Sequence, residues 1–156
     1  MTDINKELVK KFWTQFISKR IEGYENIYKG KNLPVKPSIE RKINSQGINP
    51  EFTIHINLNK SSVDVTLVVY EKGRDEEENI KIINYLEKNS HEIQEKITDK
   101  IVWENKSGND RKVVRISNQG LHYEKQSDWN EINNWCIKNS YLLKKFAEEV
   151  LLSYNG

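Results

Sequence analysis

The chain has 156 residues and a mass of 18.4 kDa, which is the size of one domain. Its single cysteine, Cys136, excludes an intramolecular disulfide framework and any metal site built from several cysteines. No apolar run approaches the roughly 18 residues of a membrane span, and the polar N-terminus is not typical of a signal peptide. We therefore expect one cytoplasmic domain over residues 1–156 that makes no contact with a membrane.

Charge is nearly balanced overall, at +2, but it is unevenly distributed along the chain. Residues 1–50 carry ten basic and five acidic side chains, whereas the rest of the chain carries fifteen basic and eighteen acidic ones. A basic first third favours contact with a phosphate backbone or an acidic partner. The alternative is that these lysines are the solvated faces of ordinary surface elements.

The first 22 residues predict an amphipathic helix, because apolar side chains recur there in two adjacent rows with helical spacing. The rows are Ile4, Leu8, Phe12 and Phe16, and Val9, Trp13, Ile17 and Ile21. Gly23 is a plausible stop. Residues 23–37 contain two glycines and two prolines, so we expect a loop there, with Tyr24, Ile27 and Tyr28 folded back on the core.

Three strands are predicted next, over residues 38–45, 52–58 and 63–70. The last two alternate apolar and polar side chains and are joined by a short polar turn, which is typical of a hairpin. Antiparallel pairing with Leu58 opposite Val63 sets Asn57 against Asp64 and His55 against Thr66 on the polar face.

The second half of the chain predicts two more helices and a second hairpin. A helix over 75–98 begins with acidic residues and is open to interruption at Asn89-Ser90. Strands over 100–105 and 111–117 follow, and a last helix spans about 128–153, with Asp128 as its cap and Glu131 completing a capping box. The predicted fold class is α+β, with helices on an antiparallel or mixed sheet of about five strands in the order α-β-β-β-α-β-β-α.

Motifs for catalysis and for cofactor binding are scarce. Cys136 lies in an apolar helical stripe and is expected to be an inert, buried thiol. The sequence contains no nucleophile elbow, phosphate-binding loop or dinucleotide-binding turn. None of the three histidines, His55, His91 and His122, has a second histidine or a cysteine at metal-ligand spacing. We expect neither a bound metal nor a cofactor.

Restriction-endonuclease-like nucleases have a core with a similar order of elements, α-β-β-β-α-β. Their second strand carries an aspartate and their third an acidic-x-Lys triplet, which together hold magnesium. Here the second strand has no carboxylate, and the third offers Asp64 without the lysine. Glu104-Asn105-Lys106 matches the triplet but falls after the second helix. A magnesium-dependent nuclease is therefore the least favoured of the functions considered.

Two groups of residues are candidates for a site. The first is a basic surface formed by the first helix together with Lys29, Lys31, Lys36, Arg41 and Lys42, with Tyr24 and Tyr28 nearby. Lysines beside aromatic rings are typical of proteins that bind single-stranded nucleic acid. The second is a polar patch of His55, Asn57, Asp64 and Thr66 on the outer face of the central hairpin. That patch is either an acid–base site or an ordinary solvated sheet face.

Several segments together resemble a small bacterial and archaeal family of uncharacterised domains. They are the opening VKKFWTQFI helix of the F-W-x-x-F type, IHINLN, VDVTLVVY, IVWEN, RKVVRIS and the Trp-bearing last helix. The resemblance covers about residues 8–150. It implies that members of the family often follow a restriction-nuclease-like domain in longer proteins. The resemblance therefore implies a role associated with nucleic-acid processing or phage defence. Because this chain starts directly at the first helix, we expect it to act alone or with a separately encoded partner.

Three functions follow as expectations. The first is a non-catalytic accessory or binding module that contacts nucleic acid through residues 6–42. The second is a protein-interaction or homodimerisation module, since four tryptophans exceed the needs of so small a core. The third is an enzyme that uses His55 with Asp64, or Glu104 with Lys106.

Overall fold

The computed structural model describes residues 3–44, 51–69, 76–104 and 112–154, and within these ranges it contains four α-helices and five strands. The elements follow in the order α1 (Asp3–Ser18), β1 (Ser38–Ile43), β2 (Phe52–Leu58), β3 (Ser62–Val69), α2 (Glu76–Lys88), α3 (His91–Lys96), β4 (Ile101–Glu104), β5 (Lys112–Gln119) and α4 (Trp129–Leu151). This confirms the α+β class and the predicted order. The helix predicted over 75–98 is divided at Asn89-Ser90, where α2 ends and α3 begins.

The strands form one sheet in the order β1-β2-β3-β5-β4, and every neighbouring pair is antiparallel. The register of the central hairpin is as predicted, with Leu58 opposite Val63, Asn57 opposite Asp64 and His55 opposite Thr66. Because side chains alternate between the faces of a sheet, this register puts the apolar positions of both strands on one side. The polar positions lie together on the other side.

The helices pack on the apolar side of the sheet. Helix α4 contacts β2 and β3, and α2 contacts β3, β4 and β5. Helix α1 lies beside α4, where the Phe12 and Trp129 rings meet edge to face at 5.5 Å and Asn133 Nδ2 donates to Gln15 Oε1 at 3.3 Å. The core therefore lies between the sheet and this helical layer. We call the opposite side of the sheet, which carries His55 and Asp64, the outer face.

Helix α1 ends at Ser18, four residues earlier than the apolar rows predict. The side chain of Asn26, which is buried, donates to the carbonyl oxygens of Phe16 at 2.9 Å and Lys19 at 3.2 Å. The last carbonyl groups of a helix lack α-helical partners within it, and these bonds supply a side-chain donor at that terminus. The chain can therefore leave the helix at this point, and Gly23 follows in the turn with a φ of +88°.

Tyr28 folds back into the core, as predicted, and is fully buried. Its hydroxyl donates to the Ile54 carbonyl oxygen at 3.3 Å and lies 3.1 Å from Ser140 Oγ, so it joins β2 to α4. Burial raises the pKa of this phenol. The prediction that Tyr28 accompanies a nucleic-acid surface is wrong, because a ring in the core cannot stack on a base.

Asp128 occupies the N-cap position of α4, as predicted, but the predicted capping box is not formed. Its side chain makes no capping bond to helix α4. Instead, Asp128 Oδ2 accepts a hydrogen bond from the backbone N–H of His122 at 2.9 Å, which ties the beginning of the β5–α4 connection to the start of the helix. A carboxylate that accepts this bond still satisfies a backbone donor, but in the preceding loop rather than in the helix.

Cys136 lies fully buried on the inner side of α4, as predicted, and burial raises the pKa of its thiol well above the ordinary value. Reaction with a disulfide reagent requires a thiolate that solvent can reach. We expect Cys136 in the native protein to react with Ellman's reagent about a hundredfold or more slowly than a thiol placed on the surface by Ser61→Cys. Equal native rates for the two thiols would contradict the buried position. Both thiols should react at similar rates in denaturant.

Candidate functional site

A groove of about 980 Å³ runs between the loop of residues 31–36 and the outer face of the sheet. The loop forms one wall of this outer-face groove. Strands β1, β2, β3, β4 and β5 supply the other lining side chains on this face, which are Ser38, Glu40, His55, Asn57, Asp64, Thr66, Glu104, Val113 and Arg115. The volume is at the upper end of the range of about 300–1000 Å³ that is usual for ligand sites.

Strand register explains why these side chains meet. One row across the sheet runs from Glu40 through His55 and Thr66 to Arg115, and each member is paired directly with the next. The neighbouring row runs from Ser38 through Asn57 and Asp64 to Ser117. Directly paired side chains on one face lie about 4.5–5.5 Å apart at their Cβ atoms. The groove floor is thus a grid of hydrogen-bonding groups, with Thr66 buried in it.

Most of the charged groups on the floor are engaged with neighbours on the same face. Arg115 forms an ion pair with Glu104, and His55 Nε2 lies 3.2 Å from Glu40 Oε2. Asp64 Oδ2 accepts a hydrogen bond from Asn59 Nδ2 at 3.1 Å. These contacts orient the carboxylates. An ionised carboxylate has about four acceptor positions, so each one can still accept hydrogen bonds from a ligand.

The loop that forms the wall is held in place at its C-terminal end. Trp13 Nε1 of α1 donates to the Lys36 carbonyl oxygen at 3.0 Å, and the backbone N–H of Leu58 donates to the Pro37 carbonyl oxygen at 2.8 Å. Trp13 is fully buried, so its indole ring has one fixed position. The apolar side chains of this wall are exposed, with Leu33 at 39% and Val35 at 82%.

The structure places the residues of the predicted basic surface in four different locations. Lys31 and Lys36 line the groove, and within the described ranges neither makes an ion pair. Lys29 is exposed in the preceding turn and does not line the groove. Lys42 shares the outer face but is paired with Glu51 at 2.8 Å. Arg41 is opposite Ile54 in the register, so it belongs to the helix-covered face.

The four members of the predicted polar patch, in contrast, all line the outer-face groove. Sequence reasoning named Glu104 only as part of a nuclease triplet, and it missed the wall residues Leu33 and Val35 and the neighbouring Arg115. Alternation along β5 could have placed Arg115 on the outer face, because it lies between the buried Val114 and Ile116. No feature of the sequence indicates that the 31–36 loop turns over this face.

The residues proposed for a nuclease do not form a metal site in the part of the chain that the structure describes, where no group of three His, Cys, Asp or Glu is placed to hold a metal ion. Glu104 is at the groove, but Asn105 and Lys106 lie outside the described residues. His55 and Asp64 do share the groove, on diagonal positions of β2 and β3. A magnesium-dependent mechanism has no support from this arrangement.

The tryptophans are all part of the core or packed against it. Trp13 and Trp129 are buried, and Trp103 and Trp135 are half-buried against the core. Trp103 meets Phe146 edge to face at 6.2 Å, and Trp135 Nε1 donates to Asp99 Oδ2 at 3.0 Å. All four tryptophans therefore contact the core, and their number alone does not indicate an interaction surface.

No described helix is both long and apolar enough to cross a membrane.

Replacing Trp13 with phenylalanine should loosen the wall of the groove. The ring volume is largely kept, but the bond to the Lys36 carbonyl is lost, at a cost of about 1–2 kcal/mol in the free energy of unfolding. We expect faster amide hydrogen exchange at Ser38, whose N–H donates to the same carbonyl group. Trp129→Phe is the matched control, because Trp129 Nε1 donates to the Tyr123 carbonyl oxygen elsewhere. Equal exchange at Ser38 in both variants would contradict the anchoring role.

Comparison with known proteins identifies the family of the chain but indicates no activity. A family model described as a domain of unknown function, DUF4268, matches residues 8–151. No curated protein matches the chain significantly, and neither does any solved structure. The match spans almost the whole chain, including all five described strands and all four described helices apart from the first five residues of α1. The chain therefore belongs to the DUF4268 family.

Proposed function

We propose that this domain is a non-catalytic module that binds single-stranded nucleic acid in the outer-face groove. The observation that carries the proposal is the placement of two lysines, Lys31 and Lys36, on the wall above a floor of hydrogen-bonding side chains. Lysines attract phosphates, and side chains that donate or accept hydrogen bonds can read the edges of bases. Both kinds of contact are available within one groove.

A single strand fits this groove better than a duplex does. In a duplex the base edges are accessible only through the major or minor groove, which an inserted helix or ribbon reads. Here the hydrogen-bonding side chains lie on the floor of a groove, behind the 31–36 loop. An unpaired base can be turned out of its stack towards such a floor, while its phosphate stays at the wall.

The charges of the groove suggest which bases it prefers. Asp64 and Glu40 offer acceptor oxygens, and carboxylates accept hydrogen bonds from the exocyclic amino group of cytosine. Adenine and guanine also carry amino groups on their pairing edges, whereas thymine and uracil carry none. The floor therefore favours amino-bearing bases, and the apolar side chains Leu33 and Val35 supply a surface for the base faces.

The proposed role is accessory. The carboxylates of the floor are engaged with Arg115, His55 and Asn59, and among the described residues no group of three His, Cys, Asp or Glu is placed to hold a metal ion for cleavage. In a restriction or phage-defence setting, such a module would hold a strand for a nuclease.

A protein segment is the second candidate occupant of the groove. The specific observation in its favour is the exposed apolar wall, where Val35 is 82% exposed. Exposed apolar side chains that lie together can mark a protein-interaction site. Contact with Leu33 and Val35 would strengthen the binding of a protein partner, and its affinity would depend little on salt. This weak salt dependence distinguishes a protein partner from nucleic acid.

The first prediction of this proposal concerns salt. Binding of a labelled oligonucleotide, followed by fluorescence anisotropy, should weaken linearly in log salt because each neutralised phosphate releases counterions. Lys31→Gln with Lys36→Gln should lower the slope by about 1.4, which is the single-strand value for two phosphate contacts. Lys60→Gln with Lys125→Gln is the charge-matched control, at exposed positions that do not line the groove. An unchanged slope in the groove variant would contradict the site.

The second prediction concerns the base. We expect the protein to bind oligo(dC) more tightly than oligo(dT), and Asp64→Asn to reduce that preference severalfold, since an amide presents only one acceptor oxygen. The salt slope should not change, because Asp64 contacts no phosphate. Equal binding of the two oligonucleotides by the native protein would remove the proposed role of the floor. Cleavage of either probe with magnesium would contradict the non-catalytic role.

A further inference from the structure

The sheet ends in two edge strands, β1 and β4, and they are protected very differently. Strand β1 carries three consecutive charged residues, Glu40, Arg41 and Lys42, which is a common defence of an edge against pairing with another chain. Strand β4 has the sequence Ile-Val-Trp-Glu and no charge until its last residue. Val102 is 41% exposed at this edge. Within the described ranges β4 is paired with β5 alone.

The charges around β4 are self-complementary. If a second copy of the strand lies antiparallel to the first, with the two-fold axis at Val102, then Val102 faces its own counterpart. In that register Lys100 of each chain lies directly opposite Glu104 of the other. The even-numbered residues of β4, Val102 and Glu104, share the outer face, because Val102 is paired there with Arg115. Lys100 directly precedes the strand, and an extended backbone through this residue places its side chain on the same face. Lys100 is exposed, and Glu104 is 37% exposed although it is paired with Arg115. Its carboxylate can accept a second cation.

We propose that two copies of this domain associate through antiparallel pairing of their β4 strands, with Val102 at the two-fold axis and two Lys100–Glu104 ion pairs flanking it. On the helix side of the same edge, the register sets Ile101 of one chain opposite Trp103 of the other. Both are half-buried in the single chain, so pairing removes further apolar surface from water. The result is a continuous sheet of ten strands.

The same test of register argues against β1 as the dimer edge. An axis at Arg41 sets Glu40 opposite Lys42 but also sets Arg41 against its own copy, and like charges directly opposite each other destabilise a strand pair. In addition, Lys42 is already paired with Glu51. Strand β4 brings together an aliphatic pair at the centre and opposite charges on both sides.

Sedimentation velocity over a concentration series tests the proposal with the full chain and no nucleic acid, so its outcome is independent of the groove. The native protein should dimerise. The Lys100→Glu variant places two glutamates opposite each other at each end of the strand pair, and the Glu104→Lys variant places two lysines there. The dissociation constant of the dimer should therefore rise about tenfold or more in each variant. An equimolar mixture of the two variants restores opposite charges at both ends, and it should form a heterodimer.

Lys60→Glu, on the β2–β3 turn, is the charge-matched control and should dimerise as the native protein does. Because Glu104→Lys places a second cation beside Arg115, Val102→Lys provides an independent variant that touches no ion pair and should be monomeric. Circular dichroism of every variant excludes unfolding. A monomeric native protein at the highest soluble concentration would overturn the proposal. Full dimerisation of Val102→Lys, or failure of the folded charge variants to associate when mixed, would overturn it as well.

Discussion

The register between β2 and β3 is the constraint on which the rest of the structure depends. A shift of one residue would move every apolar side chain of one strand to the outer face and every polar one into the core. With Leu58 opposite Val63, the sheet receives its helical layer on one side only. The same register brings His55, Asn57, Asp64 and Thr66 together on the other side.

A second constraint converts that open face into a groove. The 31–36 loop has no strand partner of its own, so its position depends on the groups that hold its ends. A buried indole supplies one of these, because Trp13 belongs to α1 and α1 is fixed by its packing on α4. Thus a helix on the inner side of the sheet determines the shape of a surface on the outer side, through one hydrogen bond to the Lys36 carbonyl.

Much of this fold could be predicted from the sequence, because its signals are periodic. Strict alternation over 52–58 and 63–69, with a short turn between them, determines both the strands and their pairing. Apolar residues in two adjacent rows with helical spacing identified α1 and α4, but they did not indicate where α1 ends. That end depends on Asn26, eight residues beyond Ser18, whose buried amide takes up two carbonyl groups. No periodic pattern in the sequence indicates a hydrogen bond between a loop side chain and a helix terminus.

Only the part of the candidate site that depends on local periodicity could be predicted from the sequence. Side chains on one hairpin share a face by local rules, so the polar patch could be assembled from sequence alone. The basic residues were grouped by their closeness along the chain, yet Arg41 and Lys42 point to opposite faces simply because they are neighbours in a strand. Lys31 and Lys36 join the polar patch only through the path of the loop. Glu104 joins it through the order β3-β5-β4, which no local pattern specifies.

The groove and the β4 edge are linked by Glu104, which lines the first and flanks the second. In a sheet extended by antiparallel pairing of identical strands, the two-fold axis is perpendicular to the sheet, because directly opposed residues share a face. Both outer faces then open to the same side. Two grooves on one side of a ten-stranded sheet could engage a single strand of sufficient length at two points. The second contact is then intramolecular, so overall affinity can exceed that of one groove without any new contact within it.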